Sequence, residues 1–511
     1  MFSVERGPSP YELGLPAESP KQEKTQLDKE LYDRVQPYLG VEVISSIENT
    51  PQKIASQREA FLKGEIESPE LDYPKLTPEK LTQLQQQEDT LLSLKKELQL
   101  NEKDIGRKMA DLWKKETRQD PELVMRMAYL WRINESIASI RMLRATAEGK
   151  SRRFMRYSEY VFGKPDKDMF FATVNGVRQE AEKARELHPD NPEVQKMADE
   201  FFALLPSESQ SETQFLYPPK ETIDYYEKVN RTQFKETIET IEQKYGVEKT
   251  KLPRNKQHPE QLDLTSEQVA QEFESALKTI SLDKVGWKVV IDPNRKGYAV
   301  SQDKKEVYVP EQASDPVKIN DLVPYVLHEV ITHPLRRERG ERSRLRLLGV
   351  AGLDRYIRGE EGGAIAAEQA YEGRVDFGIP SGHLGVGMAL GIDGKPRNFR
   401  ELFEINKRYA TLRRISQGME IRKATEMGTN VGWDNTVRTF RGTDGKTPGA
   451  VFTRDYIYRE GNMAIWQLIG KKPEEAHRFN LGKFDPTNER HVWVLDQLEI
   501  TDTDLKDLEK D

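Results

Sequence analysis

Cysteine is absent from this chain of 511 residues. Its absence excludes disulfide frameworks, cysteine-ligated metals and thiol nucleophiles, and it fits a reducing compartment. Long apolar runs are also missing: none approaches the roughly 20 residues needed to span a bilayer, so no membrane partner is expected. The opening MFSVERGPSPYELGLP has no basic start followed by an apolar stretch. It is not a secretory signal, and the cytoplasm is the simplest expected location. Neither sign of charge dominates, with 79 Lys and Arg against 86 Asp and Glu and a net charge of −7. A mildly acidic chain is a poor general nucleic-acid binder, so no nucleic-acid partner is expected either. The basic clusters at Arg336-Arg337 and 342–346 read as solvated helix faces. Histidine is scarce, at seven residues. Any close spacing among them therefore carries information.

What is present organises the chain as α+β and mainly helical. Residues 1–28 are polar and proline-rich and read as a disordered tail. Residues 29–284 read as a helical N-terminal region. Within it, Leu81, Leu84, Leu91, Leu92, Leu94 and Leu98 recur at helical steps in a stretch expected to run from about 79 to 115. Further helices are expected over about 120–148, 167–187, 191–204 and 222–245, with a loop at 205–220. The pattern changes near 284. Trp287–Ile291, Tyr298–Ser301 and Glu306–Val309 read as three short strands of a small antiparallel sheet. Residues 285–490 are expected to form a zincin-like catalytic domain, by analogy of element order, and 491–511 a C-terminal extension.

Directly after the strands comes His328-Glu329-Val330-Ile331-Thr332-His333. From composition, a chance match to this pattern is expected on the order of 0.01 times. Two histidines five apart on an ideal α-helix point about 140° away from each other, too far to share an ion. A one-residue π-bulge between them restores a common face. Pro334 supplies a cause, because it cannot donate to the carbonyl of Val330 and crowds it. The helix is expected to begin near Asn320 or Asp321, capped by Asn320, with Pro324 in its first turn, and to end at His333. Leu322, Val323, Val326, Leu327 and Val330 are expected to bury it.

A catalytic zinc takes three protein ligands and leaves a position open. In a chain without cysteine the third must be His, Asp or Glu. Downstream, Glu360-Glu361 is followed by Gly362 and Gly363, which would let that backbone approach the first helix closely. Glu361 is the preferred third ligand and Glu360 its near rival. Glu368, two turns on, can orient a ligand histidine. Glu329, beside the first ligand but directed away from it, can take a proton from zinc-bound water and pass it to a leaving amine. A site of two histidines and a glutamate with one Zn2+ per chain points to amide-bond hydrolysis.

These residues resemble a family. The stretch His328 to His333 is similar to the HExxxH motif of the microtubule-associated tyrosine carboxypeptidases and their bacterial relatives, the flavohaemoglobin-expression-modulating "QEGLA motif" proteins. Glu360-Glu361-Gly362-Gly363-Ala364 resembles the (Q/E)EGLA motif of that family. Trp433, Arg438 and Arg441 to Asp444 resemble its W…VRxxRGxTD stretch, and Phe452 to Asp455 with Tyr458 and Gly461 its F(S/T)KDxxYLxG segment. The likeness covers about residues 27–485. Three positions depart from the pattern: Ile331 for glycine, Pro334 for leucine and Gly363 for leucine. The resemblance implies a zinc carboxypeptidase that removes a C-terminal residue from a peptide or protein. Such an enzyme must hold the terminal carboxylate, and Arg438, Arg441 and Arg454 are the candidates. Tyr458 is a candidate donor to the tetrahedral oxyanion. Two alternatives stand beside this reading: a zinc endopeptidase using the same residues, and a non-catalytic, metal-stabilised regulatory or protein-binding module.

Overall fold

The structure is a computed structural model that describes residues 26–98, 113, 118–206, 217–247, 263–312, 317–377 and 380–500. Helices dominate, joined by one small sheet. Several expected helices lie close to their predicted bounds, at Pro121–Ala147, Lys167–Leu187 and Pro192–Leu204. Their starts have ordinary causes. Asp120, Asp166 and Asn191 each accept a backbone N–H of the first turn, and proline follows the cap twice. The expected helix over 222–245 is two, Lys220–Gln233 and Lys235–Tyr245, broken where Phe234 turns into the core. The stretch expected from 79 to 115 is helical over Pro78–Leu98, and 99–112 and 114–117 lie outside the described residues.

The strands are β1 (Lys288–Asp292), β2 (Ala299–Ser301) and β3 (Glu306–Pro310), in the order β1-β3-β2. The antiparallel sheet expected from the sequence is therefore corrected to a mixed one. β2 pairs antiparallel with β3, but β1 runs parallel to β3 on its other side. Burial explains the order. Val307, Tyr308, Val309 and Pro310 are all buried, so β3 takes the centre, whereas β1 and β2 are only half-buried.

Three hydrophobic cores form, and each joins residues from both sides of position 284. One packs Ile223, Phe273 and Trp287 against Val326, Val330, Tyr371 and Trp466, and it carries the site. Residue 284 thus marks a change of element type within continuous packing. Residues 1–25 of the expected tail lie outside the described residues. Asp28, at its end, is buried and accepts hydrogen bonds from the Tyr129 hydroxyl and from the backbone of Arg346 and Leu347. In the C-terminal extension, Glu489–Gln497 is a helix that buries Val494 and Leu495, and 501–511 lie outside the described residues.

Candidate metal centre

The helix after the sheet opens with a 3-10 turn at Ile319–Asp321 and an α turn at Leu322–Tyr325. It then runs as a π-helix over Val326–Leu335 and as an α-helix over Arg336–Arg342. Three expectations are corrected here. Asn320 makes no cap, and Pro334 does not end the helix, which continues to Arg342. Instead of one bulged residue, ten residues follow the wider geometry. The reason is that a π-helix bonds i to i+5, which moves the Val330 carbonyl out of the way of the Pro334 ring. The Thr332 hydroxyl reinforces the wide turn by donating to the carbonyl of Leu327 at 2.8 Å, five residues back.

Residues five apart now sit one above the other. The His328 and His333 rings have centroids 5.2 Å apart. In this π segment, Val326, Leu327, Val330, Ile331, Thr332, Pro334 and Leu335 are buried. His328, Glu329 and His333 are half-buried and line one cavity of about 1170 Å³. The buried positions pack the helix into the core, and His328, Glu329 and His333 occupy its open side.

The helix Ile357–Glu372 brings the carboxylates. One ligand atom each from His328, His333 and Glu361 lies within 4.8 Å of the others, so the three can hold a metal ion. Glu361 Oε2 is 3.8 Å from His328 Nε2. Glu360 does not join the group. It lies buried behind His333 and accepts a hydrogen bond from its Nδ1 at 2.7 Å. Glu368 does the same for His328 Nδ1 at 2.5 Å. Each imidazole is thus tied at Nδ1 and presents Nε2, the arrangement that fixes tautomer and ring orientation in metal sites. The donor set of two nitrogens and one carboxylate oxygen suits zinc, and one side of it faces open cavity.

The electrostatics point the same way. Burial disfavours charge on His328, but Glu368, Glu329 and Glu361 outweigh it and raise its pKa to about 10. Burial likewise opposes charge on His333, and the Glu360 hydrogen bond and charge raise it nonetheless. A field that holds protons on these imidazoles also favours a cation between them. Glu360 is pushed up by burial, but His333, Lys483 and Arg336 bring it down to about 2, so it stays ionised.

The glycines after Glu361 do not lie against the π-helix as expected. A Cβ on Gly362 would come 2.3 Å from the backbone of Gly461, so the close approach is to the helix Ile457–Lys471. A Cβ on Gly363 would meet nothing within 4 Å.

The helix Ile457–Lys471 and the turn before it carry Tyr458 and Arg454, and both line the cavity. Arg454 stacks over the Tyr458 ring at 5.3 Å and lies 3.9 Å from Glu361 Oε1. Its Nε is buried without a hydrogen-bond partner among the described residues. Arg438 is already committed, donating to both oxygens of Asp455 at 2.6 and 2.9 Å, and it does not line the cavity. Arg441 packs over the Phe452 ring and does not line it either. Burial, with Arg438 and Arg454 nearby, lowers its pKa to about 10.

Other lining residues had no signature in the sequence. Arg132, Glu135 and Ser136, from the N-terminal region, form part of the cavity wall, and so does the segment 41–45. Only the fold brings them within reach of the site. Among the described residues, no helix is long and apolar enough to cross a membrane. No family model, curated protein or solved structure matches this chain at a significant level.

Proposed function

We propose that this protein is a zinc-dependent metallopeptidase, built on a zincin-like core, that removes a C-terminal residue from a peptide or protein. The observation that carries the reading is the convergence of His328, His333 and Glu361 on one point of a cavity that Glu329 also lines. A structural metal would be enclosed by its ligands, whereas an open side leaves room for water and substrate. This favours an enzyme over a metal-stabilised binding module.

A zinc ion held there supplies Lewis acidity, polarising a carbonyl and making water acidic near pH 7. Glu329 takes the proton from the attacking water and delivers it to the departing amine. Glu360 and Glu368 keep both imidazoles oriented while this happens. Burial pushes the Tyr458 phenol up, so it remains a donor and can hydrogen-bond the developing oxyanion. Arg454 lines the cavity and, unlike Arg438, is not held by a carboxylate at hydrogen-bond distance, so it is the member of the arginine trio suited to hold a terminal carboxylate.

The sheet supports a peptide as substrate. β2 is an edge strand, and its residues Ala299 and Val300 line the cavity together with Tyr298, the residue before it. Side chains of a strand alternate between faces, so lining by two consecutive strand residues fits a strand that presents its backbone edge. An extended peptide can pair with that edge.

The test is Glu329→Gln. It is expected to retain about one zinc per chain and the wild-type fold while lowering peptide turnover at least about 100-fold. Mass spectrometry of peptide libraries incubated with both zinc-loaded proteins reads the result. Undiminished cleavage by the variant rules the mechanism out. Cleavage of C-terminally amidated peptides as fast as free ones rules out the carboxypeptidase and leaves the endopeptidase.

A further inference from the structure

The helix that supplies Glu360, Glu361 and Glu368 is entered through an unusual residue. Arg355, two positions before Ile357, has φ +59°, in the left-handed region that a side chain disfavours. Such a conformation persists only when neighbours hold it. The structure provides those neighbours on both sides. Asp354 is buried and accepts from Arg490 at 2.8 Å, with His491 Nε2 at 3.4 Å. The backbone N–H of Arg355 itself donates to Glu135 Oε2 at 3.1 Å. Glu135 belongs to the helix Pro121–Ala147, 220 positions earlier, and is buried. Arg132, one turn before it, donates to the same oxygen at 2.5 Å. The Arg355 side chain lies outside this contact, over the Tyr160 ring.

The consequence is geometric. A helix cannot be rotated without changing the backbone that leads into it. Adjacent residues on a helix point about 100° apart, so a modest rotation would replace Glu361 at the metal point by another residue. Tyr356 and Ile357, which join the anchored residue to the carboxylates, line the cavity with Glu135.

We propose that Glu135 is a positioning residue for the metal centre: by accepting the Arg355 N–H it holds the left-handed backbone that sets the rotation of the Glu361 helix. The N-terminal helical region is then a working part of the site and not an accessory to it. This rests on the metal reading above.

The experiment uses four full-length proteins: wild type, Glu135→Gln, Glu135→Ala, and Glu135→Ala combined with Arg355→Gly. Glutamine keeps an acceptor oxygen, and glycine adopts positive φ without help. Zinc affinity is measured against a competing chelator. Glu135→Gln is expected within about threefold of wild type, Glu135→Ala at least about tenfold weaker, and the double variant restored to within about threefold. Hydrogen exchange of amides 356–361 in zinc-free protein gives a second readout with the same expected order. Unchanged affinity and exchange in Glu135→Ala overturn the proposal. If Glu135→Ala does not fold, a folded, zinc-binding double variant supports the proposal, and a double variant equally unfolded overturns it. If wild type binds no zinc, the metal reading fails, and the exchange pattern alone decides the anchor.

Discussion

His333 Nδ1 lies 2.7 Å from Oε1 of Glu360, so the residue beside Glu361, the carboxylate that meets both histidines, steers one of those imidazoles. Two adjacent glutamates therefore have different work. Glu360→Ala is expected to weaken zinc binding by about 10–100-fold, the usual effect of losing a hydrogen bond to a ligand histidine. Glu361→Gln should cost more than that, because it weakens a ligand directly. Chelator competition on both variants checks the order, and a reversed order would reassign the third ligand to Glu360.

Pro334 is expected to help the site at a cost to the helix. Its ring crowds the carbonyl four residues back, and the π geometry relieves the crowding. Pro334→Ala allows ordinary α bonding, which turns His328 and His333 apart. Zinc affinity should fall by about tenfold or more even though the melting temperature does not fall. Paired titration and thermal unfolding of the zinc-free protein read both quantities. Unchanged zinc affinity would mean that buried contacts alone hold the wide turn.

The two glycines after Glu361 predict opposite outcomes. Gly362→Ala places a methyl 2.3 Å from the Gly461 backbone, so two packed helices must separate. A loss of about 1–3 kcal/mol is expected. Gly363→Ala meets nothing within 4 Å and should gain about 0.5–1 kcal/mol through helix propensity. Urea unfolding of the two variants separates them.

Arg454 and Arg438 should also separate. Arg454→Ala is expected to raise KM for peptides with a free C-terminus while leaving folding intact. Arg438→Ala removes the partner of a buried Asp455 and should lower stability first. Steady-state kinetics with free and amidated peptides, set beside melting curves, distinguishes the two roles.

The anchor of the Glu361 helix has a pH signature. Burial raises the Asp354 pKa, but His491 and Arg490 outweigh it and bring it to about 2, below its ordinary value of 3.8. A depressed carboxylate contributes stability above its unfolded pKa and loses it as pH falls through the folded one. The window is therefore about pH 4 down to 2, and the contribution is about 2 kcal/mol. Asp354→Asn should be less stable than wild type at pH 6, and the difference should shrink below pH 4. Chemical denaturation at stepped pH measures it.

Much of the centre is legible in the sequence. His328 and His333, five apart with a proline after, implied a widened helix because an α-helix cannot bring that spacing together. Glu361 could not be separated from Glu360 in the same way. Neighbours on a helix point about 100° apart, and which one faces inward depends on rotation. The sequence also could not tell which of Arg438, Arg441 and Arg454 lines the cavity, since that follows from packing: Asp455 occupies Arg438, and Arg441 lies over Phe452.

By itself, then, the sequence determined the local periodicities: the approximate place of most helices and strands, that the histidines need a distorted helix, and that no thiol takes part. Tertiary structure alone decided that β1 joins β3 in parallel, that Glu361 and not Glu360 meets the histidines, and that Glu135 reaches Arg355. The reason is physical. Short-range patterns follow from steric and hydrophobic spacing along the chain, whereas contacts between distant residues follow from how whole elements pack, and spacing does not encode that.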